Sequence, residues 1–244
     1  MKWRTKILLL VLAAAIVAAV VWRDRFNDAM NIIQARTQKR TVEDRLQEFG
    51  TAARARLQSH FTRTQTPYPP ETATLLVLKE ERRLEVYAPV TGAPRFVCAY
   101  PILGASGGPG PKLREGDKQV PEGIYRIELL NPNSLHHVSL RIGYPNEFDR
   151  AQAAREGRTD LGRDIMIHGG SGSVGCVAVG DPVSEEIFTL AVDMGFEKIT
   201  IVSAPRDFRQ HGVSAPVAGQ PAWVPELYAQ IQSRLATLPR PANP

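Results

Sequence analysis

Ile165-Met166-Ile167-His168-Gly169-Gly170-Ser171-Gly172-Ser173-Val174-Gly175-Cys176-Val177-Ala178-Val179 sets apolar, strand-like runs on either side of a Gly/Ser turn. A histidine closes the first run and a cysteine opens the second. An imidazole within hydrogen-bond reach of a thiol can take its proton and leave a strong nucleophile. The glycines allow a sharp turn and expose consecutive N–H groups, which an oxyanion hole for acyl transfer requires. Cys176 is therefore the candidate nucleophile and His168 the candidate base, with the N–H groups of Cys176, Gly175 and Val174 as oxyanion donors.

Other chemistry fits this stretch less well. Gly170 to Gly175 spells a G-x-G-x-x-G, but Cys176 to Pro182 continues as strand and turn where a dinucleotide fold needs a helix. His60, His136, His137 and His211 lack the spacing of metal ligands, so no metal or other cofactor is expected. With 43% hydrophobic and 23% charged residues in 244, the chain has material for a real core. The net charge of +5 is concentrated before residue 67, and no nucleic-acid-binding signature accompanies it. Two cysteines are too few for a disulfide framework, and pairing Cys98 with Cys176 would consume the nucleophile.

Outward from the motif, Thr74–Lys79, Leu84–Ala88, Phe96–Leu103, Ile124–Leu130, His137–Ile142 and Lys198–Ser203 read as strands of a mainly antiparallel assembly. Pro182–Met194 reads as a helix capped by Asp181, and Leu227, Ile231 and Leu235 mark a final amphipathic helix after a Pro/Ala-rich linker. Thr66-Pro67-Tyr68-Pro69-Pro70 closes a helical region, so the expected divisions are 1–22, 23–66, 67–208 and 209–244. Ile7–Val21 is apolar, flanked by Lys2, Arg4 and Lys6 and bracketed by Trp3 and Trp22. Residues 7–22 are read as a membrane anchor with the domain on the exported side, and a cleaved signal peptide is the competing reading. Residues 23–66 are read as a mostly solvated helical spacer, with a docking helix as the alternative.

The catalytic stretch resembles the signature of YkuD-type L,D-transpeptidases, in which an Ile-His-Gly strand precedes a Ser-x-Gly-Cys turn. Val120-Pro121-Glu122-Gly123-Ile124-Tyr125 is similar to the Thr-Pro-x-Gly-x-Tyr element that precedes that motif in the family. The resemblance runs from about Thr74 to about Ala204. It implies a mainly β, sandwich-like domain with a few helices, peptidoglycan stem peptides as substrate, and the Gly169 carbonyl orienting His168; with the anchor read at residues 7–22, the domain is expected in the periplasm, tethered to the inner membrane. Most members carry Ser-His-Gly-Cys and an arginine two residues later, where this chain has Val174 and Ala178. With Tyr144-Pro145-Asn146, Lys112 to Asp117 and Glu185-Glu186-Ile187, this resembles the YafK-like branch, whose known chemistry includes amide hydrolysis that frees a murein-linked lipoprotein. Candidate substrate contacts are Ser171, Ser173, Tyr144, Asn146, Lys112 and Arg114, and Gly104 to Pro111 reads as a flexible loop.

Overall fold

The computed structural model describes residues 39–213 and 219–241, and all that follows concerns the unit Thr41–Pro244. The apolar segment 7–22 lies outside the described residues. Among the described residues no helix is long and apolar enough to cross a membrane.

Ala73–Leu78 (β1) is an unbroken apolar run apart from Thr74, and every residue of it is buried. Such a run without alternation belongs to a strand covered on both faces. Leu75 and Val77 enter one core while Leu76 and Leu78 enter a second. The remaining strands are β2 (Arg83–Val90), β3 (Ala93–Pro101), β4 (Gly104–Ala105), β5 (Gly123–Ser134), β6 (His137–Ile142), β7 (Met166–His168), β8 (Val177–Ala178) and β9 (Ile199–Ala204). They hydrogen-bond in the order β3-β2-β1-β9-β5-β6-β7-β8-β4. Most pairs are antiparallel, as expected, but β1 pairs with β9 and β7 with β8 in parallel. The architecture is mainly β with a few helices. Strands from both ends of this ladder, including β2 and β7, line the larger core.

Helices cover what the strands leave apolar. The described α-helices are α1 (Val42–Arg45), α2 (Thr51–Arg63), α3 (Glu147–Arg155), α4 (Asp181–Met194), α5 (Phe208–His211) and α6 (Val224–Ala236), with a π-helical turn over Leu46–Gly50 joining α1 to α2 and a 3-10 turn over Phe196–Lys198. α6 lays Leu227, Ile231 and Leu235 into the second core, as their spacing predicts. α4 begins one residue earlier than expected, with Gly180 rather than Asp181 at the cap.

The solvated-spacer reading does not hold over residues 42–63. Phe49, Ala53, Leu57 and Phe61 recur every four residues and are buried in the larger core. The arginines between them are paired to α4: Arg54 forms a fork on Asp193 at 2.7 and 2.8 Å, and Arg56 reaches Glu186 at 2.6 Å and Glu185 at 3.0 Å. Tyr68 Oη donates to the same Asp193 at 2.6 Å. Although burial opposes it, these bonds from Arg54 and Tyr68 hold the Asp193 carboxyl below the usual carboxylate range. Phe61 is 1% exposed and meets Tyr68 edge-on at 5.1 Å. Phe61→Ala is expected to cost about 3–5 kcal/mol by leaving a cavity. Urea denaturation checks this, and a loss below about 1 kcal/mol would mean the helix is not part of the folded core.

Candidate active site

His168 ends β7 and Cys176 immediately precedes β8. Parallel strands normally need a crossover of a dozen or more residues. Here residues 169–176 suffice because both strands are very short and the turn is glycine-rich. Gly175 has φ +85°, a left-handed conformation open to glycine at little cost. Gly169 is needed for another reason: a Cβ there would lie 2.4 Å from Asp181 Oδ1 and 2.8 Å from the His136 carbonyl. The register Ile167↔Val177 and His168↔Ala178 places Cys176 beside Met166. Alternation then puts the cysteine on the face that carries Met166 and His168. The Met166 N–H approaches Cys176 Sγ at 3.3 Å, consistent with that placement.

The His168 Nδ1 lies 2.6 Å from the Gly169 carbonyl. A carbonyl only accepts, so the proton sits on Nδ1 and Nε2 keeps its lone pair. Asp181 Oδ1 receives the Gly170 N–H at 2.8 Å, and so steadies the same turn from the start of α4. Burial pushes the His168 imidazole below its ordinary value; the Gly169 carbonyl opposes this and neighbouring His136 adds to it. Burial likewise pushes the Cys176 thiol above its ordinary value, opposed by the Met166 N–H and the charge of Lys112 and reinforced by Asp164. Both directions favour the uncharged forms, a thiol and a neutral imidazole.

A cavity of about 240 Å³ opens at Cys176, with Lys112, Lys118, Arg163, Asp164 and Val174 on its walls. It shares Glu115, Arg163 and Asp164 with a larger cleft of about 680 Å³ that also bears Arg150 and Asp160. The surface leading to the thiol thus carries both signs of charge.

Several expected contacts are placed differently. The Gly175 N–H donates to Ser106 Oγ at 2.6 Å, and that hydroxyl donates to the Lys118 carbonyl at 2.6 Å. Gly175 is thereby committed to the scaffold, leaving Cys176 and Val174 as the candidate oxyanion donors. The loop expected to be flexible is tied down by Ser106, and again by the Gly110 N–H on Glu122 Oε1 at 2.8 Å. Tyr144 is buried, with its hydroxyl on the Lys112 and Leu161 carbonyls. Asn146 caps α3 in a reciprocal box with Asp149 and donates to the Ile124 carbonyl. Both residues serve the fold rather than the cavity. Lys112 does reach the cavity, but its ammonium is held by Asp117 at 2.7 Å. Arg114 is exposed and absent from the walls. Ser171 is exposed on the turn, and Ser173 Oγ is buried without a partner among the described residues. The sequence reading assigned no site role to Ser106, Arg163, Asp164 or Asp181. Cys98 lies buried in β3, where burial pushes its thiol up to about 12, and both cysteines are free.

The pattern of the L,D-transpeptidase catalytic domain, YkuD, matches residues 71–201, more than half of the chain. The chain belongs to the YkuD family. YafK of Escherichia coli is 38% identical to it over 114 residues, covering 46% of this chain and 44% of YafK. The chain thus spans less than half the length of the curated relatives it matches. Among solved structures, the helical cell shape determining protein Pgp2 from Campylobacter jejuni is 24% identical, with a TM-score of 0.43 over 54% of this chain and 47% of Pgp2. Bd1075 from Bdellovibrio bacteriovorus is also 24% identical, with a TM-score of 0.40 over 68% and 53%. The YkuD match takes in His168, Cys176 and the Val120-Pro121-Glu122-Gly123-Ile124-Tyr125 element.

Proposed function

We propose that this YkuD domain is a cysteine acyl-transfer enzyme that acts on peptidoglycan peptides through a thioacyl-enzyme. What supports this reading is the pairing of β7 with β8, which puts Cys176 and His168 on one face of the two strands, with the imidazole held in one tautomer by the Gly169 carbonyl. Cys176 Sγ attacks the carbonyl carbon of an amide as His168 Nε2 takes the thiol proton. The N–H groups of Cys176 and Val174 receive the oxyanion. The C–N bond then breaks, the amine leaves with the proton from His168, and the acyl group remains on sulfur. An acceptor amine or water next adds to the thioester, gives its proton to His168, and the C–S bond breaks to restore the thiol.

Water is the acceptor this chain favours. Val174 is 69% exposed at the cavity and Ala178 is buried, so neither offers a charge or side-chain hydrogen bond to a second peptide. Amide hydrolysis that detaches a murein-linked lipoprotein is the matching reaction. Anchoring through residues 7–22 at the inner membrane, with the domain in the periplasm, completes the proposal. The test is to incubate the full chain with muropeptides and with murein-linked lipoprotein and weigh the products. Free peptide ends or detached protein are expected. Cross-linked dimers without hydrolytic product would overturn the choice of acceptor.

A further inference from the structure

Leu135 and His136 form a two-residue turn between β5 and β6, closed by the Ser134↔His137 pair. Loop tips usually face solvent and touch little. Leu135 obeys this and is 100% exposed. His136 is exposed as well, yet its ring stacks on that of His168 with centroids 4.5 Å apart and planes 25° from parallel. Its carbonyl accepts the Gly169 N–H at 3.0 Å. One residue thus touches both the imidazole and the glycine whose carbonyl fixes that imidazole.

The hairpin is itself held from behind. Arg45 of α1 donates to the Pro132 carbonyl at 2.8 Å and to the His137 carbonyl at 3.2 Å. The His137 ring lies 5.5 Å from Phe49, and its Nε2 meets Glu185 Oε1 at 3.0 Å. The π turn that presents Phe49 and the helix that bears Glu185 therefore fix where the tip reaches. Without these contacts a two-residue tip would have little to hold it over β7.

We propose that His136 is a positioning residue for His168, clamping the imidazole in its working orientation and tautomer. The proposal rests on His168 being the base of the reaction set out above. Stacking blocks rotation of the His168 ring away from Gly169 and covers one of its faces. Asp181 of α4 steadies the turn after His168 by accepting the Gly170 N–H. Lys112 and Asp164 act on Cys176 from the cavity wall.

The test compares His136→Ala and His136→Phe in the full-length chain, using a murein-linked peptide substrate and ¹⁵N spectra of the histidine rings. The exposed site should leave thermal stability unchanged in both. For His136→Ala, a roughly tenfold fall in kcat with KM little changed is expected, as for a misplaced catalytic group. The His168 signals should also lose their Nδ1–H tautomer preference. For His136→Phe, kcat and tautomer should return because the stack is kept. Wild-type kcat and His168 spectra in His136→Ala would overturn the proposal. Activity in His168→Ala would instead remove the reading on which it rests, so the two failures are separable.

Discussion

Cys176→Ala is expected to abolish turnover while leaving the fold intact. No other described cysteine can substitute, since Cys98 is buried in β3 with its thiol pushed up to about 12. The expected loss in kcat is at least about 10⁴-fold, the scale seen when a nucleophile is removed and only binding and oxyanion contacts remain. His168→Ala should reduce turnover almost as far, because the thiol then has no partner to take its proton. The pH dependence carries a definite sign. With the imidazole lowered, the neutral base persists below the ordinary histidine value, so activity should extend into mildly acidic conditions. With the thiol raised, alkylation of Cys176 in the absence of substrate should still be climbing above the ordinary thiol value. Alkylation that is fast and flat through neutral pH would show a standing thiolate and contradict this account of the pair.

Glu122→Ala is expected to be the most damaging change away from the thiol. Glu122 is 0% exposed, and its Oε1 meets the buried Lys79 ammonium at 2.9 Å. Lys79 also donates to the Gly110 and Val120 carbonyls at 3.2 and 3.0 Å, while Tyr228 of α6 donates to Glu122 Oε2 at 2.9 Å. The acidic residue of the Val-Pro-Glu-Gly-Ile-Tyr element thus joins β1, the loop bearing Ser106, and the C-terminal helix. Its removal leaves a buried cation unpaired, which costs about 3–5 kcal/mol. It also releases Gly110, whose loop holds the Cys176 turn through Ser106. Denaturant unfolding should show the full loss of stability, and kcat should fall even in the folded fraction. A change under about 1 kcal/mol would mean that the pair is neither buried nor coupled as described.

Local pattern made the catalytic turn and the strands legible. Leu75 to Leu78 is apolar at successive positions, which fits a strand covered on both faces, and Ile167-His168 with Cys176-Val177 carried their own strand signal. The reading failed where partners are distant in sequence. Arg54 and Arg56 look like a solvated face until α4 supplies Asp193 and Glu186, 139 and 130 residues away. With those arginines taken as solvent-facing, the four-residue stripe from Phe49 to Phe61 was too thin to suggest burial, since Ala53 is one of its members. Ser106 reaches Gly175 across 69 residues, and nothing in the intervening sequence announces it. Asn146-Glu147-Phe148-Asp149 is a local helix-start signal, N-cap and third residue reciprocally bonded, yet it was passed over and α3 went unexpected. Tyr144 and Asn146 drew attention as polar groups after a strand, although one is spent on carbonyls and the other on that cap.

The central claim is that acyl groups pass through the sulfur of Cys176. Rapid acid quench of the full chain during turnover of murein-linked peptide, followed by proteolysis and mass spectrometry, tests it directly. The account predicts a hydroxylamine-sensitive acyl adduct on the peptide containing Cys176, absent from Cys176→Ala. An adduct on another residue, or product formation by Cys176→Ala at the wild-type rate, would contradict it.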